Sequence, residues 1–102
     1  MDLSDFRKRI DEIDKGLLDL FQKRMDVSAE IARYKRENNL PIHDPVREQQ
    51  KQEELAGTVK EDRKAYVRTL YSLLFELSRA EQKRILNPAS DPADRIQGPV
   101  LR

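Results

Sequence analysis

The sequence predicts an all-α protein of three helices, one long, one short and one of intermediate length. Three observations carry that prediction. Apolar side chains recur at three- and four-residue steps through the first and third of these segments. Only 3 Gly and 5 Pro occur in 102 residues, and they fall mainly between or after the periodic segments. Leu, Ile, Val and Phe make up 26 of the residues, which clears the roughly 20% floor below which highly charged chains stay disordered. A chain of this length makes one domain.

The first helix is expected from Asp2 to Asn38, a run of about 36 residues. Leu3, Phe6, Ile10, Ile13, Leu17, Leu20, Val27, Ile31 and Tyr34 form a heptad seam along it. Gly16 alone weakens it, by roughly 1 kcal/mol against Ala. Asn38, Asn39, Leu40 and Pro41 end it. Asp44 then supplies an N-cap and Pro45 the first position of a short helix to about Ala56. Gly57 is its expected stop. The third helix, roughly Asp62 to Leu86, carries Tyr66, Leu70, Leu73, Leu74 and Leu77. Residues 87–102 hold Pro88, Pro92, Gly98 and Pro99 with almost no apolar periodicity. The helical domain is therefore expected over residues 1–86, and a poorly ordered tail or linker over 87–102.

Composition removes several function classes. Twenty basic against 19 acidic side chains leave a net charge of +1, whereas nucleic-acid binding needs a basic surplus on one face. The absence of Cys excludes disulfide scaffolds, thiolate metal sites and thiol nucleophiles. A single His, His43, makes a zinc site or a Ser-His-Asp triad implausible. No apolar run approaches the ~18 residues of a membrane span, and no signal-peptide core opens the chain. The expectation is a cytoplasmic protein with no metal, cofactor, nucleic-acid or membrane partner. Any chemistry it performs must proceed without a nucleophile or a metal.

Length predicts a partner. The first helix would be roughly 54 Å long, yet a compact domain of this size has a radius of gyration of only ~13 Å. The other two helices cannot cover both ends of such a rod. The rest of its seam should pack on another chain, and a two-fold homodimer is the simplest closed solution.

Several charges sit where apolar residues belong. Continuing the steps through Leu17 and Leu20 lands on Arg24, with Val27 next. A cation in a packing seam is costly unless it meets an anion. An intramolecular ion pair or a register-setting polar residue would explain it, and so would a site for a carboxylate or phosphate held bidentately. Lys35 lies on the same face, about 20° off and roughly 16 Å along the axis, leaving space for one small anion between them. Arg7 is about 25 Å from Arg24 along the rod, so by itself it reads as a solvated charge, although an antiparallel partner helix could bring it to that site. In the third helix Tyr71, Phe75, Ser78, Gln82 and Ile85 form a second stripe, polar at Ser78 and Gln82. These two either mark an exposed helix end or face the same pocket. Asp44, Arg47, Glu48 and Lys51 share one side of the short helix, where weak solvated pairs are the plain alternative. His43 and Tyr34 read as structural or surface residues.

These residues, in this order, are similar to the all-helical class of chorismate mutase. The resemblance runs from about Leu3 to Lys83. It rests on FRKRIDEIDKGLLDLFQKRMDVSAEIARYK, on PIHDPVREQQ and on ELSRAEQ. It implies an intertwined homodimer whose protomer has a long, a short and a third helix. By position, it implies that Arg7 reaches across the dimer and that Arg24 grips a substrate carboxylate within its own protomer. Lys35 would stand at the breaking ether bond with Gln82 on its other side. Asp44, Arg47 and Glu48 would belong to the substrate site, with Glu48 at the substrate hydroxyl, and Ser78 would assist at a carboxylate.

The implied reaction is the rearrangement of chorismate to prephenate for phenylalanine and tyrosine synthesis. It breaks one C–O bond and forms one C–C bond within a single molecule, with no external nucleophile. Gln82 can donate at any pH, so activity should not collapse between about pH 6 and 8. The alternatives are an isochorismate pyruvate lyase of the same fold and a non-enzymatic helical dimerisation or regulatory module. The last leaves Arg24 and the Ser78/Gln82 pair unexplained. Similar helical domains also occur fused to other enzymes of aromatic amino-acid synthesis.

Overall fold

A computed structural model describes residues 1–88 of the chain. The tail expected over 87–102 lies outside the described residues from position 89 onward. Three α-helices make up the fold: α1 (Leu3–Glu37), α2 (Pro45–Ala56) and α3 (Lys64–Leu86). The protomer extends 54 Å by 29 Å by 25 Å, and the long dimension is close to the ~52 Å that 35 helical residues span.

Each helix end has a local cause. Asp2 caps α1 by accepting from the Asp5 N–H at 3.0 Å, while the Asp5 carboxylate accepts from the Asp2 N–H, closing a reciprocal capping box. At the other end Asn39 adopts a left-handed conformation with φ 55°. The Leu40 N–H bonds back to the Lys35 carbonyl at 2.8 Å, and the Asn39 N–H to the Arg36 carbonyl at 3.4 Å. This is a Schellman turn with Asn in the place usually taken by Gly. Asp44 caps α2 through the Arg47 N–H at 3.1 Å, with Pro45 at the first position.

Two boundaries differ from expectation. Gly57 does end α2, but at φ −69° and ψ −13° it remains right-handed. The stop therefore does not depend on a conformation reserved for glycine. The third helix begins at Lys64, later than Asp62, because Glu61–Arg63 forms a 3-10 turn closed by the Arg63 N–H on the Lys60 carbonyl at 2.9 Å. This tighter turn satisfies a donor that an abrupt α-helical start leaves free.

Helix α3 is the central element, packing against both α1 and α2. Among the described residues the buried ones are small or polar: Ala32, Ala56, Ala80, Ser28 and Gln82. Small side chains let the helix axes approach closely where α1 meets α3. No large apolar side chain among the described residues is fully buried. Every residue from 1 to 20 is exposed, so the seam residues Leu3, Phe6, Ile10, Ile13, Leu17 and Leu20 have no cover among the described residues. Tyr66 and Leu70, expected in the packing stripe of α3, are also exposed. Leu73, Leu74 and Leu77 are half-buried.

Candidate active site

The C-terminal half of α1, the start of α2 and the last turns of α3 enclose a cavity of about 200 Å³. Arg24 and Lys35 line it from α1, Asp44, Arg47, Glu48 and Lys51 from α2 and its cap, and Phe75, Ser78, Arg79 and Gln82 from α3. Of the eight residues that the resemblance places at the site, Arg7 alone lies elsewhere, on the exposed N-terminal half of α1.

Helical spacing explains the convergence. Eleven residues separate Arg24 from Lys35, three turns of one face, and four separate Ser78 from Gln82. The Arg24 guanidinium lies over the rings of Tyr71 and Phe75, 6.0 and 5.8 Å from their centroids, within cation–π range. Its Nη1 donates to the Leu74 carbonyl at 3.5 Å. The Tyr71–Phe75 stripe thus supports the cation in the seam. Lys35 Nζ donates to the Ile42 carbonyl at 2.8 Å. The Schellman turn makes this contact possible by folding the chain back over the last turn of α1.

On α3 Gln82 is buried and Ser78 half-buried, and Ser28 is buried on α1 one turn after Arg24. The Ser28 and Ser78 hydroxyls are 2.6 Å apart, Ser28 Oγ donates to the Arg24 carbonyl at 3.0 Å, and Gln82 Nε2 donates to Ser78 Oγ at 3.5 Å. Gln82 Oε1 is buried without a hydrogen-bond partner, which costs roughly 1–3 kcal/mol in a closed site.

Sequence reasoning missed two residues. Arg79 Nη1 donates to both oxygens of Glu48, at 2.5 and 2.6 Å, tying α3 to α2 at the edge of the cavity. Nothing in the spacing of α3 pointed to it, because its partner lies 31 residues earlier in another helix. Ser28 could have been found: it sits one turn after Arg24 on the same face. His43, read as a surface residue, is exposed but has Nε2 3.7 Å from Glu48 Oε1.

Cations from all three helices line the cavity together with Asp44 and Glu48 and the uncharged Ser78 and Gln82, and the chain has no Cys. Among the described residues no cluster of three metal-ligating side chains occurs, and no helix is long and apolar enough to cross a membrane. Among the described residues the protein is all-helical, with cationic side chains lining a cavity between its helices. The chain belongs to the chorismate mutase type II family, whose model matches residues 6–83.

Individual relatives agree. A bifunctional chorismate mutase/prephenate dehydratase of Buchnera aphidicola subsp. Schizaphis graminum is 38% identical over 84% of this chain and 23% of its own length. A second bifunctional enzyme, from Buchnera aphidicola subsp. Baizongia pistaciae, is 37% identical over 78% of this chain and 22% of its own. The chain thus spans less than a quarter of these two relatives. A chorismate mutase of Methanocaldococcus jannaschii is 32% identical over 82% of this chain and 87% of its own length. No solved structure gives a significant match.

Proposed function

We propose that this chain is a chorismate mutase, rearranging chorismate to prephenate in the cytoplasm as a homodimer with shared active sites. The observation that carries the reading is the cavity in which Arg24, Lys35 and Arg47 face Ser78 and Gln82. Chorismate carries two carboxylates. Arg24 would hold one, and Arg7 of a partner chain the other. Gripping both favours the compact conformer in which the reacting carbons meet. As the ether C–O bond breaks, negative charge grows on its oxygen. Lys35 and Gln82 as preorganised donors stabilise that charge more in the transition state than in the substrate.

Asp44, Arg47 and Glu48 complete the substrate site, with Glu48 held by Arg79 and facing the substrate hydroxyl. The dimer reading is supported by the uncovered seam of α1, since apolar side chains at heptad spacing pack best on another helix. Incubating the purified protein with chorismate and following its loss of absorbance tests the reading, with prephenate expected as the product. Release of pyruvate from isochorismate without chorismate turnover would overturn it.

A further inference from the structure

We propose that Ser28 is a positioning residue: with Ser78 it forms a directional hydrogen-bond chain that sets the orientation of the Gln82 side-chain amide. The inference rests on the proposed reaction and concerns a residue that touches no substrate.

The argument follows single protons. A serine hydroxyl has one hydrogen to donate and two lone pairs. The Ser28 hydroxyl lies 3.0 Å from the Arg24 carbonyl, which can only accept, so Ser28 gives its proton there. Reversing this bond would leave two oxygens facing each other with no hydrogen between them. At 2.6 Å from Ser28 Oγ, Ser78 must then be the donor of the second bond. Ser78 Oγ, its proton spent, meets Gln82 with lone pairs alone.

Gln82 is 5% exposed, and its two amide orientations are no longer equivalent. With Nε2 toward Ser78, as observed at 3.5 Å, donor faces acceptor. With Oε1 toward Ser78, two acceptors would meet. The chain therefore runs from Gln82 N–H through Ser78 and Ser28 to the Arg24 carbonyl. It keeps the amide nitrogen on the Ser78 side and leaves its second N–H for the ether oxygen. The carbonyl of the same helical turn that presents the Arg24 side chain terminates the chain, so the carboxylate-holding cation and the amide donor share one scaffold. In this arrangement Ser78 serves as an acceptor for Gln82 and gives its own proton to Ser28.

Ser28→Ala removes the acceptor of the Ser78 proton. Ser78 can then either accept from Nε2 or donate to Oε1, and Gln82 loses its preference. We expect kcat for chorismate to fall about fivefold, the factor matching one net hydrogen bond of about 1 kcal/mol, with KM within about twofold of the parent. Ser78→Ala should do the same. Because both act through one chain, Ser28→Ala added to Ser78→Ala should cost nothing further in kcat. The double variant also removes both hydroxyls together, the less destabilising change, so the cycle stays measurable if the single Ser28 variant folds poorly. Multiplying effects in the double variant, a kcat equal to the parent's in Ser28→Ala, or a change confined to KM would each overturn the proposal. Parent protein that turns over no chorismate would instead overturn the proposed function, which separates the two failures.

Discussion

The two halves of α1 carry the same apolar seam, exposed in both down to Val27, Ile31 and Tyr34, but only the C-terminal half also buries residues on its other face. From residue 21 onward the helix packs on α3, burying Ser28 and Ala32 and aiming Arg24 and Lys35 into a cavity. Up to residue 20 every side chain is exposed, including Ile10, Ile13 and Leu17, each more than half exposed. The C-terminal half meets α3 through small side chains, while large apolar ones lie exposed along the seam of both halves, from Leu3 to Tyr34. Large apolar groups stabilise in proportion to the area removed from water, and in the proposed dimer the bare N-terminal half would find its cover on the partner chain. Arg7 lies in the bare half and every other candidate site residue lies elsewhere, so binding and assembly are coupled in the proposed enzyme.

The largest expected effect breaks the comparison at the bare half. Ile13→Glu would place an unpaired carboxylate in the dimer seam at a cost of several kcal/mol. Sedimentation should show loss of the dimer, and chorismate turnover should disappear with it. A variant that sediments and turns over as the parent does would mean that this face meets only water.

Next comes the covered half. Lys35→Ala removes a donor worth about 3–4 kcal/mol at the developing oxyanion, so kcat should fall at least about a hundredfold with helicity unchanged by circular dichroism. Arg24→Ala should also raise KM. Mixing then tests how the halves cooperate. Arg7→Ala and Lys35→Ala are each expected to be nearly inactive alone. Subunits exchanged between them form heterodimers in which one of the two sites is intact, so a mixture should regain about a quarter of the parent activity. No recovery after demonstrated exchange would place Arg7 outside the site.

How much of this was legible in the sequence depended on the range of the interaction. The helices and the ends of α1 and α2 follow from local rules: spacing for the seam, Asp44 and Pro45 for the start of α2, Asn39 for the end of α1. The cluster of Arg24, Lys35, Ser78 and Gln82 was legible because each pair shares one helix face. The bond between Arg79 and Glu48 was not, because it joins residues on two helices whose relative rotation no local pattern encodes. Ser28 was overlooked for a different reason. A serine one turn past a conspicuous arginine reads as filler until its hydroxyl is seen between the Arg24 carbonyl and Ser78. The 3-10 start before α3 also escaped, since Asp62 is as acceptable to a helical first turn as to a tighter one.

The smallest effect sharpens the comparison by testing what holds α2 over the covered half. Away from the cavity, Arg68 of α3 forms a two-bond pair with Glu53 of α2, both contacts at 3.1 Å. Hydrogen bonding from Arg68 and then its charge hold the Glu53 carboxyl below its ordinary range, with Lys64 adding a smaller pull and burial opposing weakly. A carboxylate whose pKa is depressed by folding contributes stability above its unfolded pKa, and loses it as pH falls through the folded value. The pair is on the surface, where solvent screens such contacts. Arg68→Ala should therefore lower Tm by at most a few degrees at neutral pH, with kcat unchanged. The difference from the parent should shrink as pH drops below the usual carboxylate range. A loss of turnover comparable to that of Lys35→Ala would mean that this surface clamp, and not the Glu48–Arg79 pair at the cavity edge, positions α2 over the site.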